Sequence, residues 1–204
     1  MTYVPGVGFM NTRKSIQAIA DEGRAKPGLI RRKVFVSYHR ADEEEVRKFI
    51  EDFRDFFIFK CVGITENHDF IKSTDPEYIK SRIRTEILGD TSVTMVLVGT
   101  CTWSRHFVDW EISATLRDDK LNPLSALVGI ALPHLGNTWK PPKRLSDNIV
   151  EKNPDASYAF GIVYPSDGYA LSRVVEKALV NRDQHSSRKN NSRPLQEGNF
   201  ACGQ

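Results

Sequence analysis

Ser92–Val98 (SVTMVLV), followed directly by Gly99–Ser104 (GTCTWS) and Phe107–Leu116 (FVDWEISATL), decides the fold. The first segment is almost continuously apolar and rich in β-branched residues. A strand covered on one face alone would alternate, so this one reads as a strand with helices against both faces. In the third segment, steps of about 100° per residue gather Phe107, Val108, Ile112 and Ala114 on one arc and leave Asp109, Ser113 and Arg117 opposite. Glu111 falls inside the apolar arc. A carboxylate there must find a partner, raise its pKa or face a solvent-filled cleft. Pairing with Arg105, just upstream, is the ordinary structural reading; facing a cleft would make it a chemical tool.

On the N-terminal side, Val34-Phe35-Val36-Ser37-Tyr38 reads as a first strand. Asp42 and Glu45 have capping-box spacing, and Val46, Phe49, Ile50, Phe53 and Phe57 follow at helical intervals. Cys61–Thr65 reads as a second strand, Glu66–Thr74 as a polar loop, and Asp75-Pro76 opens a helix carrying Ile79, Ile83 and Ile87 to a stop at Gly89. After the Glu111 helix, Leu124–Leu132 and Tyr158–Tyr164 supply two more strands, and Leu171, Val174, Val175, Ala178 and Leu179 mark a final helix. Alternation of strand and helix selects an α/β architecture: a single domain with a five-stranded parallel sheet in the flavodoxin-like order 2-1-3-4-5 and helices on both faces.

The expected organisation is an extension over residues 1–32 with one short helix between Thr12 and Glu22, a domain over 33–182, and a disordered polar tail over 183–204. The proline-bearing segment Pro133–Ser157 is long for a connection in this layout, which points to a working loop.

Composition narrows the function classes. The chain has 204 residues, a net charge of +3 and 27% charged residues, an ordinary globular balance. No apolar run approaches the roughly 18 residues of a membrane span, and no secretory signal is recognisable at the start, so a cytoplasmic protein without a membrane partner is expected. Much of the basic excess sits in Arg24–Lys33 and Arg188–Arg193, outside the expected core, which makes nucleic acid an unlikely partner. Cys61, Cys101 and Cys202 are scattered and odd in number, a pattern expected of reduced thiols. The five histidines show no paired-ligand spacing, so no metal is expected.

In a 2-1-3-4-5 sheet the loops after strands one and three converge on one crevice. Ser37-Tyr38-His39-Arg40 and Thr100–His106 would meet there, with Glu111 behind and the Glu66–Thr74 loop, including Asp69, close by. Arg40 and helix N-termini suit phosphates, Tyr38 or Trp103 could stack on a base, and Glu111 could face a ribose or a developing positive charge. No Walker lysine loop and no receiver-type acidic cluster after strand one are present.

Lys33–Asp42 (KVFVSYHRAD) resembles the first-strand box of Toll/interleukin-receptor (TIR) domains. Arg105–Leu116 (RHFVDWEISATL) resembles the helix bearing the catalytic glutamate of NAD-cleaving TIR domains, and with TSVTMVLVGTCTW the likeness is greatest to the TIR-like proteins of bacterial Thoeris antiphage systems, the ThsB group. The resemblance spans residues 33–180. It implies that Glu111 is the catalytic residue and that Phe107, Tyr38, His39 and Arg40 face the substrate, joined in the crevice by Trp103 and Asp69. It further implies NAD as substrate, release of nicotinamide, and hydrolysis or recapture of the ADP-ribosyl cation as a cyclic signal for a downstream effector; the few groups that one chain brings to the crevice add an expectation of self-association through the domain. The receptor-type Arg-Asp-x-x-Pro-Gly loop is absent, and Phe107 stands where many catalytic relatives carry Trp. A non-catalytic TIR-like scaffold that assembles partners is the alternative.

Overall fold

The computed structural model describes residues 14–61, 78, 88–118, 124–150 and 152–203. Its centre is a five-stranded sheet in the order β2-β1-β3-β4-β5, with every neighbouring pair parallel. The strands are β1 (Arg32–Tyr38), β2 (Phe57–Cys61), β3 (Val93–Val98), β4 (Ala126–Ala131) and β5 (Ala159–Ile162). Around them lie α1 (Ile16–Asp21), α2 (Glu43–Phe53), α3 (His106–Thr115), α4 (Lys143–Ser146) and α5 (Gly168–Gln184).

The pleat sends alternate residues to opposite faces, and the two cores follow that rule. Val34 and Val36 of β1 with Val93, Met95 and Leu97 of β3 join α1, α2 and α5 in one cluster. Val96 and Val98 join Val108, Ile112 and Leu116 from the α3 segment and Leu145 of α4 in the other. Helices therefore cover both faces, as the apolar strands required.

Several boundaries differ from expectation. Helix α2 buries Val46, Phe49, Ile50 and Phe53 and stops there; Phe57 starts β2 instead of continuing the helix. The aromatic and β-branched run Phe56-Phe57-Ile58-Phe59 favours an extended conformation, which overrides a helical spacing met by Phe57 alone. The capping box is not formed. Asp42 makes no side-chain cap and accepts instead from Thr102 Oγ1 at 3.3 Å, while Glu45 bonds His134. The expected second helix and the Glu66–Thr74 loop lie outside the described residues, as do Val62–Thr65.

The N-terminal segment is docked. Ser15 caps α1 by accepting from Ala18 N at 3.1 Å, and Ile16, Ile19 and Ala20 enter the first core. The Gln17 amide donates to Phe59 O and accepts from Cys61 N, so it occupies the open edge of β2. The long connection after β4 packs as well: Leu135, Trp139 and Ile149 lie against the second core. Gly129 and Gly161 are register partners, and a Cβ on either would press on the Trp139 ring, at 3.3 and 2.8 Å respectively. Their lack of side chains is what admits the indole.

The C-terminal tail is not disordered. Residues 189–203 run across the outer side of α3, and Cys202 forms a disulfide with Cys101, Cα–Cα 5.7 Å. Both the disorder and the reduced state expected for these two cysteines are corrected by this arrangement. Pairing across 101 residues leaves no spacing signature. The tail is polar because its bonds are polar. Arg144, fully buried, pairs with Asp109 through Nε at 2.8 Å and Nη2 at 3.0 Å, and its remaining donors reach Asn191 Oδ1, Arg193 O and Pro194 O. Asp109 and Ser113, placed on the solvent side by periodicity, are therefore buried.

Truncation after His185 would strip the Arg144 guanidinium of its three bonds to the tail, open its pair with Asp109 to water and remove the disulfide. A fall in stability of at least about 3 kcal/mol is expected by urea denaturation. An unchanged midpoint would show that the tail's contacts contribute nothing to the fold.

Candidate functional site

The sheet pleat and the α3 period bring two side chains together that are 74 positions apart. Ser37 lies one residue beyond Val36 and so points to the opposite face, where α3 packs. Its hydroxyl donates to Glu111 Oε2 at 2.5 Å. Glu111 is only 8% exposed. Burial drives its pKa from 4.5 up to about 7, and the Ser37 bond opposes part of that rise. Arg105 is not its partner among the bonds described. Below this pair, Thr94 and Thr115 share a buried hydrogen bond of 2.8 Å, and Thr115 Oγ1 also donates to Glu111 O at 2.9 Å. The carboxylate thus sits in a narrow polar seam within the second core.

The loops after β1 and β3 do converge. Gly99 lies so close to the Asp42 carboxyl that any Cβ there would collide with it, and Gly99 N donates to Thr102 Oγ1 at 2.9 Å. In this corner Asp42, Glu45 and His134 hold their ligand-type atoms within 4.8 Å of one another. His134 Nδ1 meets Glu45 Oε2 and Nε2 lies 3.1 Å from Thr100 Oγ1. Both imidazole nitrogens are engaged, so a metal ion would have to displace one bond. The trio serves as a bridge from α2 to the turn after β4.

In the loops that follow β1 and β3, two polar atoms are buried without a partner, His39 Nδ1 and Arg105 Nε. Burial, and then the nearby Arg105 cation, hold the His39 pKa below its ordinary value. A neutral imidazole and a guanidinium with unmet bonding capacity are suited to a polar, anionic ligand.

The other expected residues are spread around this centre. Tyr38 packs against the first core, on the face opposite Glu111, and burial chiefly raises its pKa, with Cys61, Glu43 and Glu111 adding to the effect. Arg40 opens an exposed 3-10 turn, Arg40–Asp42. Phe107 is half-buried, its ring 4.2 Å from His106 and 5.4 Å from Trp110, centroid to centroid. Trp103 faces the tail, with Lys140 Nζ 3.2 Å from its ring centre and Phe200 beyond at 6.4 Å. Asp69 lies outside the described residues. Ser37 is not among the expected site residues: strand alternation sets it on the face opposite Val34 and Val36, and the packing of α3 on that face makes it the partner of Glu111.

The family described as "Thoeris protein ThsB, TIR-like domain" matches residues 35–137, from within β1 to the turn after β4, and so includes Ser37 and Glu111. The chain belongs to this family. It is a Thoeris defence-related TIR protein, with the five-stranded parallel sheet expected of that fold. No curated protein matches it. Among the described residues no helix is long and apolar enough to cross a membrane.

Glu111 has a signature in stability. Below pH 4.5 the carboxyl is protonated both folded and unfolded; between 4.5 and about 7 only the unfolded chain gives up the proton, so folding stability falls through that window and stays low above it. The loss is on the order of 3 kcal/mol. Glu111→Gln should therefore be more stable than wild type at pH 8 and nearly equal at pH 4, by thermal melts across that range.

Proposed function

We propose that this ThsB-family protein cleaves the bond between nicotinamide and ribose in NAD, and that Glu111 is the catalytic residue. The observation that carries the reading is a carboxylate buried at the mouth side of a parallel sheet with one serine hydroxyl as its partner and a pKa near 7. Such a group costs stability in any fold. A scaffold has no use for that cost, whereas an enzyme does.

In the reaction the C1′–N bond breaks and its electron pair leaves on the nicotinamide nitrogen, giving a neutral pyridine. No acid is needed to assist that departure, unlike the leaving oxygen of ordinary glycosides. The ribose is left with oxocarbenium character, which an ionised Glu111 stabilises at short range in a low dielectric. Ser37 orients the carboxylate and keeps its pKa from climbing further. His39 and Arg105, whose bonding capacity is unmet, are assigned to the diphosphate or the ribose hydroxyls. Capture of the cation by water gives ADP-ribose; capture by a nitrogen of the same molecule's adenine gives a cyclic product, the form suited to signalling to a partner effector.

Incubation with NAD and measurement of released nicotinamide tests the proposal. Wild type should release it, with a rate that rises as pH passes through about 7 and Glu111 ionises. Glu111→Gln should keep the fold and lose at least about a hundredfold in rate. Equal rates in the two proteins would remove Glu111 from the mechanism.

Self-association through the domain belongs to the same proposal. Specific activity should fall on dilution, followed alongside molar mass by light scattering; a constant value over the whole series would make the single chain sufficient.

A further inference from the structure

The last segment of the tail is tied to the domain by one covalent bond and a short row of hydrogen bonds, part-buried at Gln196 and exposed at Asn199. Cys101 sits in the loop that leads from β3 into α3 and is buried; Cys202, its partner, is partly accessible. Between them the strap is held at Gln196 by Asp109 and Ser104, at Asn199 by His106 N and at Phe200 N by Ser104 O, 3.0 Å. Trp110 Nε1 donates to Gln196 O at 2.8 Å. Apolar packing is thin: Phe200 is 55% exposed with its ring 6.4 Å from that of Trp103, and a cavity of ≈ 560 Å³ is lined by the strap on one side and Trp103, Pro142 and Lys143 on the other. Individually weak bonds over a cavity do not hold a chain end for long once its covalent anchor is cut.

We propose that Cys101–Cys202 is a reversible thiol–disulfide site, open to a dithiol reductant, and that its reduction releases residues 196–203 from α3. One thiolate of the dithiol attacks the accessible Cys202 sulfur, forming a mixed disulfide and expelling the Cys101 thiolate, which takes up a proton. The second thiol of the reductant then displaces Cys202, so two cysteine thiols appear as the dithiol becomes a disulfide. Cys61 takes no part, since burial pushes its thiol up to about 12 and suppresses the reactive thiolate.

The strap lies on the side of α3 bearing Asp109 and Trp110, away from the Glu111 carboxylate that meets β1. It therefore braces the helix and its leading loop without covering the carboxylate. Release should loosen the loop over residues 99–106 and slow nicotinamide loss, a consequence that rests on the NAD-cleaving reading; the release itself does not.

The full-length protein is compared before and after treatment with dithiothreitol. Denatured samples should titrate one thiol before and three after. Amide hydrogen exchange at Gln196 and Phe200 should accelerate by roughly tenfold or more on reduction. Cys202→Ser should show the fast exchange without reductant, while the exchange of β3 stays slow and reports an intact core. A bond that opens only after denaturation, or unchanged exchange at both amides once it is open, overturns the proposal. Fast exchange on reduction with no nicotinamide released by any form would leave the thiol site standing and remove the NAD reading.

Discussion

A single carboxylate pressed between a helix and a parallel sheet sets the terms for the rest of this molecule. Glu111 occupies a position that packing alone would give to leucine, and its only described side-chain partner is the Ser37 hydroxyl. One hydrogen bond from a single hydroxyl does not repay the desolvation of a full charge. The surrounding structure must therefore hold α3 against β1 and β3 strongly enough to keep the carboxyl inside. Val108, Ile112 and Leu116 grip the sheet from within, and from outside the Asp109–Arg144 pair and the tail press the helix inward. Helix α3 is consequently buried nearly all round, which is unusual for a ten-residue helix at a sheet face.

The Asp109–Arg144 pair extends this logic. A buried ion pair adds little net stability by itself, yet it is severely destabilising when half of its hydrogen bonds are missing. Arg144 presents its five donors in a fixed fork, two to Asp109 and the others to the tail backbone and Asn191. The tail completes a polar shell that α3 and α4 begin. This explains why a segment so poor in bulky residues is ordered: its path is specified by hydrogen-bond geometry and a disulfide, not by apolar burial.

These two modes of specification account for what could be read from the sequence. Strands β3 and β4 and helix α5 were legible because they are defined by apolar periodicity, and strand alternation with helices was sufficient for the order 2-1-3-4-5. Phe57 misled because its helical spacing from Phe53 competed with the extended preference of its own neighbours. The tail misled for the opposite reason. Composition registers the absence of an apolar face, but it cannot register that Asn191, Gln196 and Asn199 will each meet a group of α3 78 or more positions away in sequence. Within the site, Glu111 was conspicuous as a charge in an apolar arc, whereas Ser37 is an ordinary strand residue until the pairing of β1 with β3 turns it toward α3. Tyr38, the next residue along, is by the same alternation turned away.

The family match ends at residue 137, whereas α4, Arg144 and the whole tail lie beyond it. The seam of Ser37, Glu111, Thr94 and Thr115 is contained inside the matched span, and the brace on the outer side of α3 is contributed from outside it. A helix whose inner face carries the proposed chemistry and whose outer face is held by a separate segment can have its rigidity changed without a change in its carboxylate. Positioning within about half an ångström is what such chemistry demands of its supports. Variation in the brace is thus a physically economical way to tune the site, since it acts on the order of α3 while Glu111, its hydrogen bond and its electrostatic environment stay as the sheet sets them.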